Sequence, residues 1–181
     1  TFVKLSENNM YIKKDYDDSQ FTSVTEEVDQ FKARHPYSKY VNELDYMQAD
    51  SYFKSKKYTE AIFSYEDYIR KNPSAPNLFE AYYRIAKSYD KQSSEDVDRD
   101  QANTKKAVEK YKQYLELYPK TQYADEGKER LVVLNKRVVE SMMFVANFYF
   151  EKEMYGAALS RYLDIINRYK DYPEFINLSK K

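Results

Sequence analysis

Three scarcities limit the chemistry this chain can do: it has one histidine, no cysteine and two glycines in 181 residues. A Ser/His/Asp relay needs an imidazole held in place by a second group. The single candidate, His35, precedes Pro36 in the stretch His35-Pro36-Tyr37-Ser38, where a turn gives it a surface or packing role. Gly127 and Gly156 cannot build a phosphate-cradling loop, and one histidine without cysteine cannot supply a zinc site. Carboxylates are abundant, but pairs such as Glu66-Asp67 read as a solvated helix face. The acidic run Glu95–Asp100 lacks the glycine and the spacing of a calcium loop. Thirty basic residues balance thirty acidic ones, so no basic field steers the chain to nucleic acid. Its many aromatics could stack on single strands, but they coincide with packing positions. No enzyme, cofactor or metal is expected, and the chemistry left to consider is recognition of another protein.

The elements that would position such a surface are best seen in Asn42–Pro73. Two helical stretches of similar length meet at a polar corner, Ser55–Lys57. Small Ala49 and Ala61 lie twelve residues apart, Tyr52 and Tyr58 flank the corner, Tyr65 and Tyr68 follow, and Pro73 closes the unit. Antiparallel helices approach to about 8–10 Å only where small residues admit it; aromatics fill the groove and proline stops the second helix. This is the tetratricopeptide (TPR) pattern. It recurs with Ala86, Tyr89, Ala107, Tyr111 and Pro119, where twenty-one residues instead of twelve separate the alanines and imply an insertion of about nine at the corner. It recurs again, at the original spacing, with Ala146, Tyr149, Tyr155, Ala158 and Tyr162. Upstream, Phe21, Val24, Val28, Phe31 and Pro36 fit a second helix, behind a weakly helical Thr1–Tyr16 in which a degenerate first helix falls somewhere in Asn8–Asp15.

The predicted architecture is all-α: one TPR solenoid domain over 1–181, with repeats at about 8–36, 42–73, 79–119 and 139–170. Gln92–Asn103 is predicted as an exposed corner insertion in the third repeat. Thr121 is placed as cap of a further helix, 121–138, which opens the fourth repeat and either continues unbroken toward Glu153 or kinks near Gly127 and Asn135. Asp171–Lys181 resembles the start of a fifth repeat. The richest apolar stretch, Met142–Phe150, is far short of the roughly 18 residues that span a membrane. The sequence starts at Thr1, so any targeting segment is expected upstream of it.

In a repeat of this type the first helix of each pair lines the concave face. That places Tyr46, Asp50 and Phe53, then Tyr83, Arg84 and Lys87, as inward-facing candidates for binding a peptide. Aromatics with isolated charges suit an extended peptide carrying alternate aromatic side chains, its terminal carboxylate met by Arg84 or Lys87. Asp50 would repel an acidic tail. The alternative for each ring is packing against a neighbouring helix.

The order of motifs is more specific than the repeat. It runs from His35-Pro36-Tyr37-Ser38 through Asn72-Pro73 with Pro76-Asn77 to a corner insertion carrying Asp98-Arg99-Asp100. Tyr118-Pro119, Tyr123-Ala124-Asp125-Glu126, Arg130-Leu131 and Leu134 follow, then Val145–Tyr149, Tyr155, Ala157-Ala158 and Arg161. Over about Phe21–Pro173 this resembles the BamD family of outer-membrane lipoproteins, TPR subunits of the β-barrel assembly machinery. Lys170 departs from it, standing where a repeat-ending proline is usual, and the acylated N-terminal cysteine is absent. The resemblance implies a scaffold at the periplasmic face of the outer membrane, anchored by a lipid outside these residues. Its N-terminal repeats, with the inter-repeat turn His35, Tyr37 and Tyr40, would meet the aromatic C-terminal signal of unfolded outer-membrane proteins. Its C-terminal repeats, with Arg161, would meet the POTRA region of a BamA-like protein and other subunits of the machinery. The alternative is another envelope TPR lipoprotein, serving pilus assembly, secretion or peptidoglycan.

Overall fold

A computed structural model describes residues 2–17 and 19–170, of which 2–8 are described by their backbone alone. Eight α-helices and no strand are found among the described residues. They pack as two compact units, Thr1–Lys91 and Gln92–Lys181. The first holds α1 (Phe2–Asp17), α2 (Phe21–Arg34), α3 (Val41–Lys54), α4 (Tyr58–Lys71) and α5 (Leu78–Lys91). The second holds α6 (Ala102–Leu117), α7 (Ala124–Glu151) and α8 (Tyr155–Arg168). Within each unit every helix packs on the next in sequence, the arrangement a helical repeat produces. The expected fifth-repeat start, Asp171–Lys181, lies outside the described residues.

The alanines that set the register are all in the core. Ala49, Ala61, Ala86, Ala107 and Ala146 are fully buried and Ala158 nearly so. In the first unit Ala49 and Ala61 join Ile62, Tyr65, Tyr68, Ala81 and Ile85 in one cluster, while Ile12, Val24, Val28, Phe31, Leu44 and Met47 form another. Burial of each large apolar side chain contributes about 1.5–3 kcal/mol. Gly127 is buried where α7 packs on α6, and a Cβ placed there would make ordinary van der Waals contact with Leu115 and Tyr114, at 3.5 Å.

Three hairpin corners share one construction. Ser19, Lys56 and Glu153 take left-handed backbone angles (φ 63°, 61° and 59°). Around each, two amides close back on the preceding helix: Lys56 N to Phe53 O and Lys57 N to Tyr52 O, and likewise Glu153 to Phe150 and Met154 to Tyr149. This is the Schellman closure, which satisfies carbonyls that the helix end leaves open.

The weakly helical Thr1–Tyr16 is a full helix, α1, over Phe2–Asp17, longer than the Asn8–Asp15 stretch taken as the first repeat's leading helix. The structure departs from expectation at three further places. The helix opening the fourth repeat does not stop at 138: α7 is a single helix of 28 residues, about 42 Å long. Its apolar spacing through buried Leu134, Val138 and Ala146 continues without proline, and Gly127 and Asn135 are both buried within it. Thr121 does not cap α7, whose N-cap is Tyr123 without a side-chain cap bond. The Thr121 hydroxyl instead donates to Tyr118 O at 3.2 Å and shares a hydrogen bond with the Tyr114 hydroxyl. Finally, the insertion is exposed at its tip, Glu95, Asp96 and Asp98–Asp100, but pinned at its base. Buried Gln101 donates from Nε2 to Asp96 O (2.8 Å), and Arg137 Nη1 to Ser93 Oγ (2.9 Å).

Candidate functional site

The first unit is tied together around one carboxylate. Asp50, on α3, is 3% exposed, and a buried charge must be paired. Its Oδ2 accepts from the Tyr16 hydroxyl of α1 and pairs with Lys54 Nζ at 2.8 Å. Its Oδ1 accepts from the Tyr65 hydroxyl of α4 at 3.0 Å and faces Arg84 Nε of α5 at 3.9 Å. Lys54 Nζ also donates to the Tyr16 hydroxyl (2.8 Å) and lies 4.2 Å above its ring. Arg84 completes the group, paired with Glu80 at 3.1 Å and stacked 4.7 Å from the Phe53 ring. Burial by itself would raise the Asp50 pKa. The hydrogen bonds from Lys54 and Tyr16, with the Lys54 and Arg84 charges, outweigh it and hold the carboxyl below its ordinary range.

Beside this network lies a cleft of about 910 Å³. One wall is α1 (Lys13, Tyr16, Asp17), the floor is α3 (Asn42, Glu43, Tyr46, Met47), and the far rim is Tyr68, Lys71 and the turn Asn72–Asn77. Two of its three tyrosines have their hydroxyls committed inside the protein. Tyr16 donates to Asp50 and Tyr68 to Asn77 Oδ1, and the Tyr46 hydroxyl is influenced by the Glu80 carboxylate. Burial, and then that Glu80 carboxylate, push the Tyr46 pKa far up. What the tyrosines present to the cleft is therefore ring surface. Lys13, paired with Glu43 at 2.7 Å, and Lys71, paired with Asp67, place one ammonium on each side.

Of the six residues expected to face inward, only Tyr46 lines this cleft, and its ring also packs edge-on against Tyr65 and Tyr68. Asp50 and Tyr83, 3% and 1% exposed, face the protein's own packing. A first-helix position close to two following helices is covered by them, and a Tyr or Asp there finds its partners inside. Phe53 is half-buried beneath Arg84, and Lys87 donates to the Tyr83 hydroxyl at 2.9 Å. Sequence reasoning missed Tyr16 and the Asn72–Asn77 rim. Both were visible as residues, but with α1 read as degenerate the second wall had no place.

The turn residues separate. Tyr37 is fully exposed, Tyr40 packs on the α1–α3 core cluster, and His35 stacks against Phe31 (5.4 Å) at the edge of a 330 Å³ pocket with Tyr11 and Arg34. In the second unit Arg161 lies 5.7 Å from the Tyr149 ring and borders a 140 Å³ pocket with Lys105, Met142 and Asp164. In the same unit α7 and α8 expose Phe144, Phe148, Tyr155, Leu159 and Leu163. No group of three or more His, Cys, Asp or Glu positioned to hold a metal occurs among the described residues. Among them, no helix is long and apolar enough to cross a membrane.

Stacked helical hairpins with buried alanines at each crossing, and a ring-lined cleft in place of a reactive centre, define a TPR-type repeat protein. The chain is similar in fold to a solved TPR-like repeat protein, a putative kinesin light chain of Podosopora anserina (TM-score 0.52, 13% identity, 98% of this chain and 92% of that one). The family is narrower than the fold: residues 5–178 match the model of the YfiO outer membrane lipoproteins, and the chain belongs to that family. Relatives include the outer membrane protein assembly factors BamD of Rickettsia prowazekii (27% identical, covering 85% of this chain and 61% of that one) and Caulobacter vibrioides (28%, 80% and 48%). That of Vibrio cholerae is 24% identical over 82% of this chain and 66% of its own. The chain thus spans between about half and two thirds of the length of these relatives.

Proposed function

We propose that this chain is a non-enzymatic scaffold of outer-membrane β-barrel assembly, whose first unit holds the aromatic C-terminal segment of an unfolded substrate in the cleft on α3. Family membership supports the assembly role. The observation that carries the ligand chemistry is that the Tyr16 and Tyr68 hydroxyls are bonded within the protein, while the Tyr46 ring packs on Tyr65 and Tyr68. A cleft offering ring faces, with Lys13 and Lys71 on opposite sides, suits an aromatic side chain and a terminal carboxylate. Asp50, Phe53, Tyr83, Arg84 and Lys87 then support the floor rather than touch the ligand.

The second unit is taken to meet the POTRA region of a BamA-like protein through the surface around Arg161. The exposed apolar residues of α7 and α8 support a protein contact there. In its native form the protein is held at the periplasmic face of the outer membrane by a lipid outside these residues. Recovery of a BamA-like protein from detergent-solubilised outer membranes separates this reading from that of a pilus, secretion or peptidoglycan lipoprotein.

A fluorescence titration with a labelled peptide ending in Phe tests the cleft. Tyr46→Ala, with helicity checked by circular dichroism, is expected to weaken binding about thirtyfold, the loss of an aromatic anchor. Arg161→Ala is expected to bind as wild type. Equal losses in the two variants, or none in either, would overturn the division of labour.

A further inference from the structure

We propose that Tyr16 is a positioning residue that sets the width of the cleft by fastening the end of α1 to α3. This deepens the peptide reading and rests on it for its consequence in binding, though not for its geometry. Tyr16 is in the last turn of α1 and has two roles at once: its ring lines the cleft, and its hydroxyl reaches behind the wall to Asp50 Oδ2. The hydroxyl is held from both sides, because it also accepts from Lys54 Nζ at 2.8 Å. Lys54 in turn lies 4.2 Å over the Tyr16 ring and 5.2 Å from Phe21 at the start of α2. Lys54 and Asp50 are not among the residues lining the cleft.

The other described side-chain ties from α1 to α3 do not fix the ring in the same way. Lys13 pairs with Glu43 at 2.7 Å, but both side chains are about half exposed (41% and 51%), so water and salt compete for that pair. Ile12 is buried with Val24, Val28, Leu44 and Met47; such contact is non-directional and tolerates sliding of one helix over another. Tyr16 supplies the directional bond. Its acceptor is ionised and buried, the setting in which a hydrogen bond is strongest. Across the cleft Tyr68 donates to Asn77, a neutral amide that itself lines the rim. The cleft therefore has ring faces on both sides, and at the end of α1 the ring is latched through its hydroxyl to a carboxylate that does not line the cleft. Held in place, the Tyr16 ring gives an aromatic side chain a face to pack on, and a small side chain gains little from it.

The test is Tyr16→Phe, which keeps the ring and removes the latch, with Lys54→Met as a second variant whose substituted residue lies outside the cleft. Because the chain has no cysteine, spin labels at Lys14→Cys and Ser74→Cys report the distance between the walls without ligand. Both variants are expected to broaden that distribution and shift it to longer distances. Peptides ending in Phe and in Ala are then titrated. Tyr16→Phe is expected to weaken the Phe peptide about fivefold, the worth of one hydrogen bond, and to leave the Ala peptide unchanged. An unchanged label distance in Tyr16→Phe overturns the latch, whatever the peptides do. A shifted distance with unchanged discrimination overturns its role in binding. If wild type binds neither peptide, the peptide reading fails, while the distance measurement still decides whether Tyr16 sets the width.

Discussion

At the scale of single residues, the first unit depends on a carboxylate it would be costly to leave alone. Asp50 is buried and ionised because Lys54, Tyr16, Tyr65 and Arg84 converge on it. Its pKa is depressed in the folded protein, so the stability it contributes is present above the unfolded value of about 3.9 and is lost as pH falls through the folded one. Asp50→Asn is therefore expected to destabilise the protein at pH 7 and to flatten the fall in stability below about pH 4. Urea midpoints measured across that range check it, and a parallel fall in both proteins would remove Asp50 from the account. The alanines give an opposite kind of test. Ala61 has no exposed surface, and Ala61→Leu puts three carbons where two helices meet, so a loss of about 1–3 kcal/mol is expected. An unchanged melting temperature would put the repeat register in error.

At the scale of elements, the corners show what could be read in advance and what could not. Ser55–Lys57 was legible as a corner because polar residues interrupt two apolar periodicities. That Lys56 would take φ 61° was not, because lysine carries no signal for it. Only the closure of Lys57 N onto Tyr52 O requires it. The helices and their alanines were legible for the same reason of period, whereas α1 was legible only as weakly helical: among its described side chains Ile12 is the one that joins a buried apolar cluster, and the directional bond of this helix to α3, Tyr16 to Asp50, leaves no mark on periodicity. The cleft shared that blindness, since its wall comes from α1 and its rim from a turn that periodicity leaves blank. The left-handed corner has a measurable consequence. A β-branched residue at φ near +60° costs about 1–2 kcal/mol that glycine avoids. Lys56→Val is expected to be less stable than Lys56→Gly by about that amount, with Lys56→Gly equal to wild type or above it. Chemical denaturation of the pair checks the corner, and equal midpoints for the two would contradict it.

At the scale of the whole molecule, the chain packs as two compact units that divide after Lys91, where the insertion begins. We propose that 1–181 nonetheless works as one TPR domain. In a repeat array, stability is roughly the sum of each repeat and its interfaces with its neighbours, and cooperativity persists only while those interfaces hold. The insertion is the place where the proposal can be tested, because its tip is exposed while Gln101, Ser93 and Arg137 pin its base. Exposed polar tips are where proteases cut first, so limited proteolysis is expected to cleave within Glu95–Asp100 before any site in α3 or α4. A first cut within α3 or α4 would contradict the insertion's placement. Calorimetry of the intact chain then decides the domain question. One transition whose calorimetric and van't Hoff enthalpies agree is expected of a single domain. Two resolved transitions, one of them abolished by Ala61→Leu and the other untouched, would mean that the units fold independently.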